Sequence, residues 1–130
     1  MTRFPVQIFL CVYPASMILF FQKELPVPLI EVTDETFSGF VMNTRCVLTF
    51  TSPWCSACKK LHPLVVELAH EFKDRVTFGV MDISASQKVP VDFKIFSLPA
   101  ALLFVRGKET RRFTGSFSIN DLKTALLGIS

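Results

Sequence analysis

Hydrophobic and polar positions alternate in blocks from residue 28 to the end of the chain. Nearly continuous apolar runs rich in β-branched and aromatic residues predict strands, and apolar residues at three- and four-residue spacing predict helices. The predicted strands cover residues 29–32, 46–51, 76–83, 100–105 and 110–114. The predicted helices begin near residue 33, cover 56–73 and 84–94, and end the chain over about 118–127.

This order, β-α-β-α-β-α-β-β-α, indicates an α/β fold. We expect a central mixed sheet, largely parallel with a hairpin at one edge, flanked by helices on both faces. Pro63 lies inside the second predicted helix and is expected to kink it. Capping and turn residues predict the ends of other elements: Thr33 or Asp34 at the start of the first helix, Ser118 or Asn120 at the start of the last, Gly128 at its end, and residues 106–109 at the hairpin turn.

The first 27 residues have a different character. Residues 4–21 are eighteen positions without a charge, preceded by Arg3, and as a helix they would be about 27 Å long, close to the ~30 Å of a bilayer core. Because no clear small-residue cleavage site follows, a signal anchor is favoured over a cleaved signal peptide, and a buried hydrophobic extension is the third alternative. Either targeting segment would divide the chain into residues 1–27 and a domain over 28–130. It would also associate the chain with a membrane through residues 4–21 and place the domain in the secretory lumen, the periplasm or the exterior.

Charge and cysteine content narrow the function classes. The net charge is +3, with no run of Lys and Arg, so no nucleic-acid partner is expected. Four cysteines in 130 residues are too few for a disulfide-stapled scaffold. Cys11 and Cys46 are interpreted as small buried hydrophobic residues.

The other two cysteines, Cys55 and Cys58, follow a predicted buried strand and open a predicted helix. Backbone N–H groups at a helix N-terminus stabilise a thiolate, and Lys59 adds a positive charge nearby. Cys55 is therefore the predicted attacking thiol and Cys58 the resolving thiol in disulfide exchange. Two cysteines at this spacing could also be half of a zinc site, but no second pair follows and His62 is interpreted as an exposed helix residue. No metal site and no cofactor are expected.

The surroundings of this pair resemble a known family. The stretch Ser52–Pro63, with Trp54 directly before Cys55, is similar to the active-site stretch of thioredoxins and, more closely, of protein disulfide isomerase catalytic domains. Further similarities lie in Val32–Phe37, in Ser97–Ala100 and in the glycines Gly107 and Gly115.

The resemblance implies a thioredoxin fold over residues 28–130 and a cis peptide bond before Pro99. It also implies that the Leu98 backbone is free to pair with an extended substrate segment, and that Trp54 shields the thiols and contacts partners. The expected partners are protein disulfides or dithiols and a redox partner that the sequence does not name.

Two departures from the family bear on the chemistry. Thr49 stands where thioredoxins and disulfide isomerases usually have a buried Asp or Glu, so water, Lys59 or His62 would have to assist proton transfer at Cys58. The spacer Ser56-Ala57, which tunes redox poise, does not indicate the direction of the reaction. The leading hypothesis is a protein thiol-disulfide oxidoreductase. A peptide-binding module with little turnover is the alternative, and metal or cluster binding by two chains that share their cysteine pairs is a third.

Overall fold

The computed structural model describes residues 28–129, and these form one five-stranded sheet with four helices. The strands are β1 (Leu29–Glu31), β2 (Arg45–Thr51), β3 (Thr77–Asp82), β4 (Ala100–Val105) and β5 (Lys108–Thr114). The helices are α1 (Phe37–Phe40), α2 (Ser56–Glu71), α3 (Lys88–Asp92) and α4 (Ile119–Ile129). The predicted element order is confirmed.

Strand β2 lies at the centre of the sheet, whose order is β1-β3-β2-β4-β5. It pairs in parallel with β3 and antiparallel with β4, β1 pairs in parallel with β3, and β5 pairs antiparallel with β4. The sheet is therefore mixed, as predicted. A central strand is covered on both faces, which explains why residues 46–50 are all buried and why the strand is apolar at nearly every position.

Two hydrophobic clusters lie on opposite faces of this sheet, because successive strand residues point to opposite sides. One cluster joins the strands to α2 and α4, and its buried members are Val47, Val65, Leu68, Ala69, Phe72, Val76, Phe78, Ala101, Leu103, Leu122, Ala125 and Leu126. The other joins them to α1 and α3, and its buried members are Val32, Phe40, Cys46, Leu48, Phe50, Met81, Val89, Ile95, Ala100, Leu102 and Phe104. The fold is thus a sheet between two helical layers.

The start of the first helix differs from the prediction. Helix α1 begins at Phe37, and Thr36 precedes it without a side-chain capping bond. Thr33 instead closes a local turn with Thr36. Asp34 accepts hydrogen bonds from the backbone N–H groups of residues 87, 88 and 89, at 3.1, 3.0 and 2.9 Å. The prediction that Thr33 or Asp34 caps the first helix is wrong, because the donors that Asp34 satisfies lie at the start of α3, more than fifty residues away in sequence.

The ends of other helices and strands differ from the predicted ones by a few residues. Helix α2 is continuous across Pro63. The hairpin turn is only Arg106-Gly107, both at positive φ (54° and 83°), as a tight two-residue connection requires, so β5 begins at Lys108 rather than Thr110. Ser118 caps α4, since its Oγ accepts from the N–H of Asp121 at 3.1 Å. Gly128 lies inside that helix and not after it.

Within residues 28–129, no helix is both long enough and apolar enough to cross a membrane. The predicted signal peptide or anchor at residues 1–27 lies outside the described residues, and so does Cys11.

Candidate redox site

The redox pair lies where the central strand passes into the longest helix. Strand β2 ends at Thr51, and Cys55 is the N-cap residue of α2, with extended backbone angles (φ −93°, ψ 102°). Cys58 follows in the first turn, and the two cysteines form a disulfide with a Cα–Cα distance of 5.3 Å. The strand-then-helix placement expected from the sequence is confirmed.

The helix start shapes the electrostatics at Cys55. The backbone N–H of Cys58 donates to Cys55 Sγ at 3.2 Å. The first turn of α2 carries no acidic residue, so no carboxylate there opposes the positive end of the helix dipole. When the disulfide is reduced, this N–H group and the dipole favour the thiolate form of Cys55.

The two sulfurs differ in accessibility. Cys55 is half-buried, whereas Cys58 is only 5% exposed, and its Sγ lies 3.9 Å from the carbonyl oxygen of Phe50. A sulfur of another protein can therefore reach Cys55 but not Cys58. The arrangement fits attack by Cys55 and resolution by Cys58.

A small cavity lies behind Cys58. It is partly open to solvent and is bordered by strands β2 and β3, helix α2 and the start of β4, and its lining residues are Thr49, Phe50, Thr51, Cys58, Leu61, His62, Val65, Val80, Pro99 and Ala100. The fold thus brings Thr49 and Pro99, two residues singled out in the sequence, to one side of the resolving thiol.

The residues predicted to contact substrate lie in the loops that precede α2 and β4. The Leu98–Pro99 peptide bond is cis, as the resemblance implies, Pro99 is buried and Leu98 is half-buried. Trp54 is 76% exposed. Phe96 is 85% exposed and was missed by the sequence reasoning, although its position three residues before Pro99 is a signal that could have identified it.

The predicted tuning residues lie on the first turns of α2 and on β2. Ser56, Ala57 and Lys59 are exposed, and the Lys59 backbone N–H donates to the Cys55 carbonyl at 3.2 Å. Thr49 is buried, and its hydroxyl donates to the carbonyl of Gly79 at 3.2 Å. The effect of these residues on redox poise stays a prediction.

Cys46 is separate from the site. It lies at the start of β2, whereas Cys55 follows the end of that strand, and it is fully buried. Burial raises the pKa of the Cys46 thiol to about 11, which keeps it protonated and unreactive at neutral pH. The interpretation of Cys46 as a buried small residue is confirmed.

Comparison with known proteins agrees with the fold. The thioredoxin family model matches residues 28–127, and the chain belongs to the thioredoxin family. Protein disulfide-isomerase 5-1 of Arabidopsis thaliana is 34% identical over 112 residues, which cover 82% of this chain and 77% of that protein. A thioredoxin of Haemophilus influenzae is 33% identical over 95 residues, which cover 72% of this chain and 89% of that protein.

Other relatives are longer than this chain. A bifunctional thioredoxin reductase/thioredoxin of Mycobacterium leprae is 30% identical over 89 residues, 67% of this chain. The chain spans 19% of that protein, and 55% and 57% of two chloroplastic thioredoxins.

Proposed function

We propose that this protein is a thiol-disulfide oxidoreductase that exchanges disulfides with protein substrates through Cys55 and Cys58. The observation that carries the proposal is the asymmetry of the pair. The accessible sulfur lies at the N-terminus of α2 and accepts a backbone N–H, and the second sulfur is buried one turn along the same helix. Family membership supports the same chemistry.

The exchange runs in two balanced steps. The Cys55 thiolate attacks one sulfur of a substrate disulfide, a mixed disulfide forms, and the other substrate sulfur leaves as a thiolate. Cys58 then loses its proton and attacks Cys55 Sγ, which forms the Cys55–Cys58 disulfide and releases the remaining substrate sulfur. The substrate gains two electrons and the cysteine pair loses two. The same steps in reverse oxidise a substrate dithiol.

Substrate binding is proposed at the surface formed by Trp54, Leu98 and Pro99. Within residues 28–129, the Leu98 backbone N–H and carbonyl have no hydrogen-bond partner, so an extended substrate segment could pair with them as an added strand does. The exposed Trp54 ring offers an apolar contact beside Cys55, of the kind that carries much of the energy at protein interfaces.

The test of the proposed activity is reduction of insulin disulfides by the full chain with dithiothreitol as electron donor. Wild-type protein is expected to accelerate the reaction, and Cys55→Ala to abolish the acceleration. Cys58→Ala should instead accumulate a mixed disulfide at Cys55, which mass spectrometry detects. Cys46→Ala is the matched control and should leave the rate unchanged. Full activity of Cys55→Ala would refute the proposal.

The alternative of a peptide-binding module with little turnover is supported by one observation, Thr49 in place of a buried carboxylate. A redox titration separates the two. An oxidoreductase pair changes state within physiological potentials, whereas the pair of a binding module stays in one state throughout.

The proposed compartment is the secretory lumen, the periplasm or the exterior. Its support is the apolar run at residues 4–21 together with the similarity to a protein disulfide-isomerase. Membrane fractionation of the full chain and of a chain without residues 1–27 tests it. A full chain that stays soluble with its N-terminus intact would contradict it.

A further inference from the structure

Cys58 has to release a proton in the second step of the exchange, and the site offers that proton few routes. The residue is 5% exposed, and the Phe50 carbonyl 3.9 Å from its sulfur can accept a weak hydrogen bond but cannot carry the proton away. Thr49 is buried in the same cavity lining, and its neutral hydroxyl cannot take up the proton as a carboxylate would. The cavity behind Cys58, which is partly open to solvent, is a route by which the proton can leave.

That cavity has the size and polarity to hold one water. The space in it that is open to the centre of a water molecule is about 20 Å³, and an ordered water needs at least about 10–15 Å³ and two or more polar partners. The Thr49 hydroxyl donates to the Gly79 carbonyl, so its lone pairs are left to accept from a water. Cys58, His62 and Thr51 are the other residues of the cavity lining whose side chains carry polar atoms.

His62 is placed to connect this cavity with solvent. It lies four residues after Cys58 in α2, which is continuous across Pro63, and side chains at this spacing lie on one face with Cβ atoms about 5–6 Å apart. A gap of this size is one that a single bridging water can span. His62 is both a lining residue of the cavity and exposed to solvent, so its imidazole can exchange a proton with bulk water.

No other charged group in the described lining competes for the proton. The strands and the loop before β4 contribute only neutral side chains to the lining. These are Thr49, Phe50 and Thr51 of β2, Val80 of β3, Ala100 at the start of β4, and Pro99 directly before it. On α2, Cys58 and His62 are the titratable residues of the lining, and the exposed Lys59 lies outside it.

We infer that His62 accepts the proton of Cys58 through one water held by Thr49, and so takes the part of the missing carboxylate. This inference rests on the proposed function. As the proton passes to the imidazole, the Cys58 thiolate attacks Cys55 Sγ, the Cys55–Cys58 bond forms and the bond from Cys55 to the substrate sulfur breaks. The departing substrate thiolate then takes a proton from solvent, and the imidazolium returns its proton to solvent.

The experiment separates the two steps in a single turnover. The reduced full chain is mixed with a homodimeric peptide disulfide at several pH values between 5 and 8, where histidine ordinarily changes its charge. Acid quenching and mass spectrometry follow the mixed disulfide and the oxidised chain. His62→Ala is expected to slow the second step by at least about tenfold at pH 7, a modest fraction of what acid–base assistance supplies, and to leave the first step unchanged.

Two further measurements distinguish proton transfer from a structural effect. Added imidazole should restore the second step of His62→Ala in a concentration-dependent way, because the site of the lost ring is open to solvent. His70→Ala, which removes the other exposed histidine of α2, is the matched control and should behave as wild type. A wild-type second step in His62→Ala, or a slowed step that imidazole does not restore, would overturn the inference. A wild-type chain that forms neither the mixed disulfide nor the Cys55–Cys58 disulfide would instead refute the proposed function, and this inference with it.

Discussion

Replacement of Gly79 by alanine is the substitution whose cost the structure defines best. Gly79 lies in the middle of β3, paired with Ile30 of β1 and Leu48 of β2, and Phe40 of α1 and Val32, which follows β1, cover one face of the strand there. A Cβ atom at this position would lie 2.7 Å from two ring carbons of Phe40 and 2.8 Å from Cγ2 of Val32. The strand has no room for even one methyl group.

The loss of stability that Gly79→Ala should cause can be worked out from those distances and from the burial of the neighbouring side chains. Ordinary contacts of a Cβ atom begin at 3.4 Å, so the ring of Phe40 has to move by about 0.7 Å. Phe40 is 6% exposed and Val32 is 1% exposed, and Val32 is β-branched and stiff at χ1. Neither side chain can turn into open space. We therefore expect a loss of about 1–3 kcal/mol, the usual cost of an overpacked core.

Urea unfolding of the full chain, followed by far-UV circular dichroism, measures this loss. For a protein of this size the midpoint should fall by about 1 M, with an unchanged slope. Gly39→Ala is the matched control, because apart from its chain neighbours and its own helix backbone no atom of the described residues lies within 4 Å of a Cβ there, and alanine is the better helix former. Phe40→Leu in the Gly79→Ala background should recover part of the loss. A Gly79→Ala chain as stable as wild type would refute the packing argument.

Three further outcomes are expected. The backbone N–H groups of Val89, Lys88 and Gln87, in that order of effect, lower the pKa of Asp34 below its ordinary 3.8. The stabilisation that the Asp34 carboxylate gives the fold is therefore complete above pH 3.8 and is lost as the pH falls through the lowered pKa. The difference in urea midpoint between wild type and Asp34→Asn should shrink from pH 6 to pH 3, and a constant difference would contradict this. Ser118→Ala removes the cap of α4 and should lower the free energy of unfolding by about 1 kcal/mol, with Ser116→Ala as an exposed control; equal midpoints would show that the cap adds nothing. Burial raises the pKa of Cys46 to about 11, so this thiol should escape alkylation at pH 8 in the reduced native chain and react in urea. Peptide mapping would show both results, and rapid labelling of Cys46 in the native chain would disprove its burial.

Local sequence was sufficient to predict the element order and the redox pair. The strands and helices carry their own periodicity, and the pair lies within four residues at a junction that this periodicity defines. The ends of helices and strands could not be predicted from local sequence where a side chain forms its hydrogen bonds with a different element. Asp34 shows this well: its side chain has the chemistry of a helix cap, but the helix that it caps begins at Lys88.

The cavity behind Cys58 could not be predicted in the same way. Thr49 comes to face Val80 through the parallel register of β2 with β3, and Pro99 reaches the same place through the antiparallel pairing of β2 with β4. A one-residue change in either register would turn these side chains to the other face of the sheet.

The sequence by itself therefore determined the fold class, the positions of Cys55 and Cys58 and the departure at Thr49, because each depends on residues close together along the chain. Only the tertiary structure decided that Cys58 is buried while Cys55 is accessible, and that His62 shares a cavity with Thr49. The physical reason is that burial and proximity of this kind come from strand pairing across the sheet and from the packing of α2 against it, contacts between residues tens of positions apart.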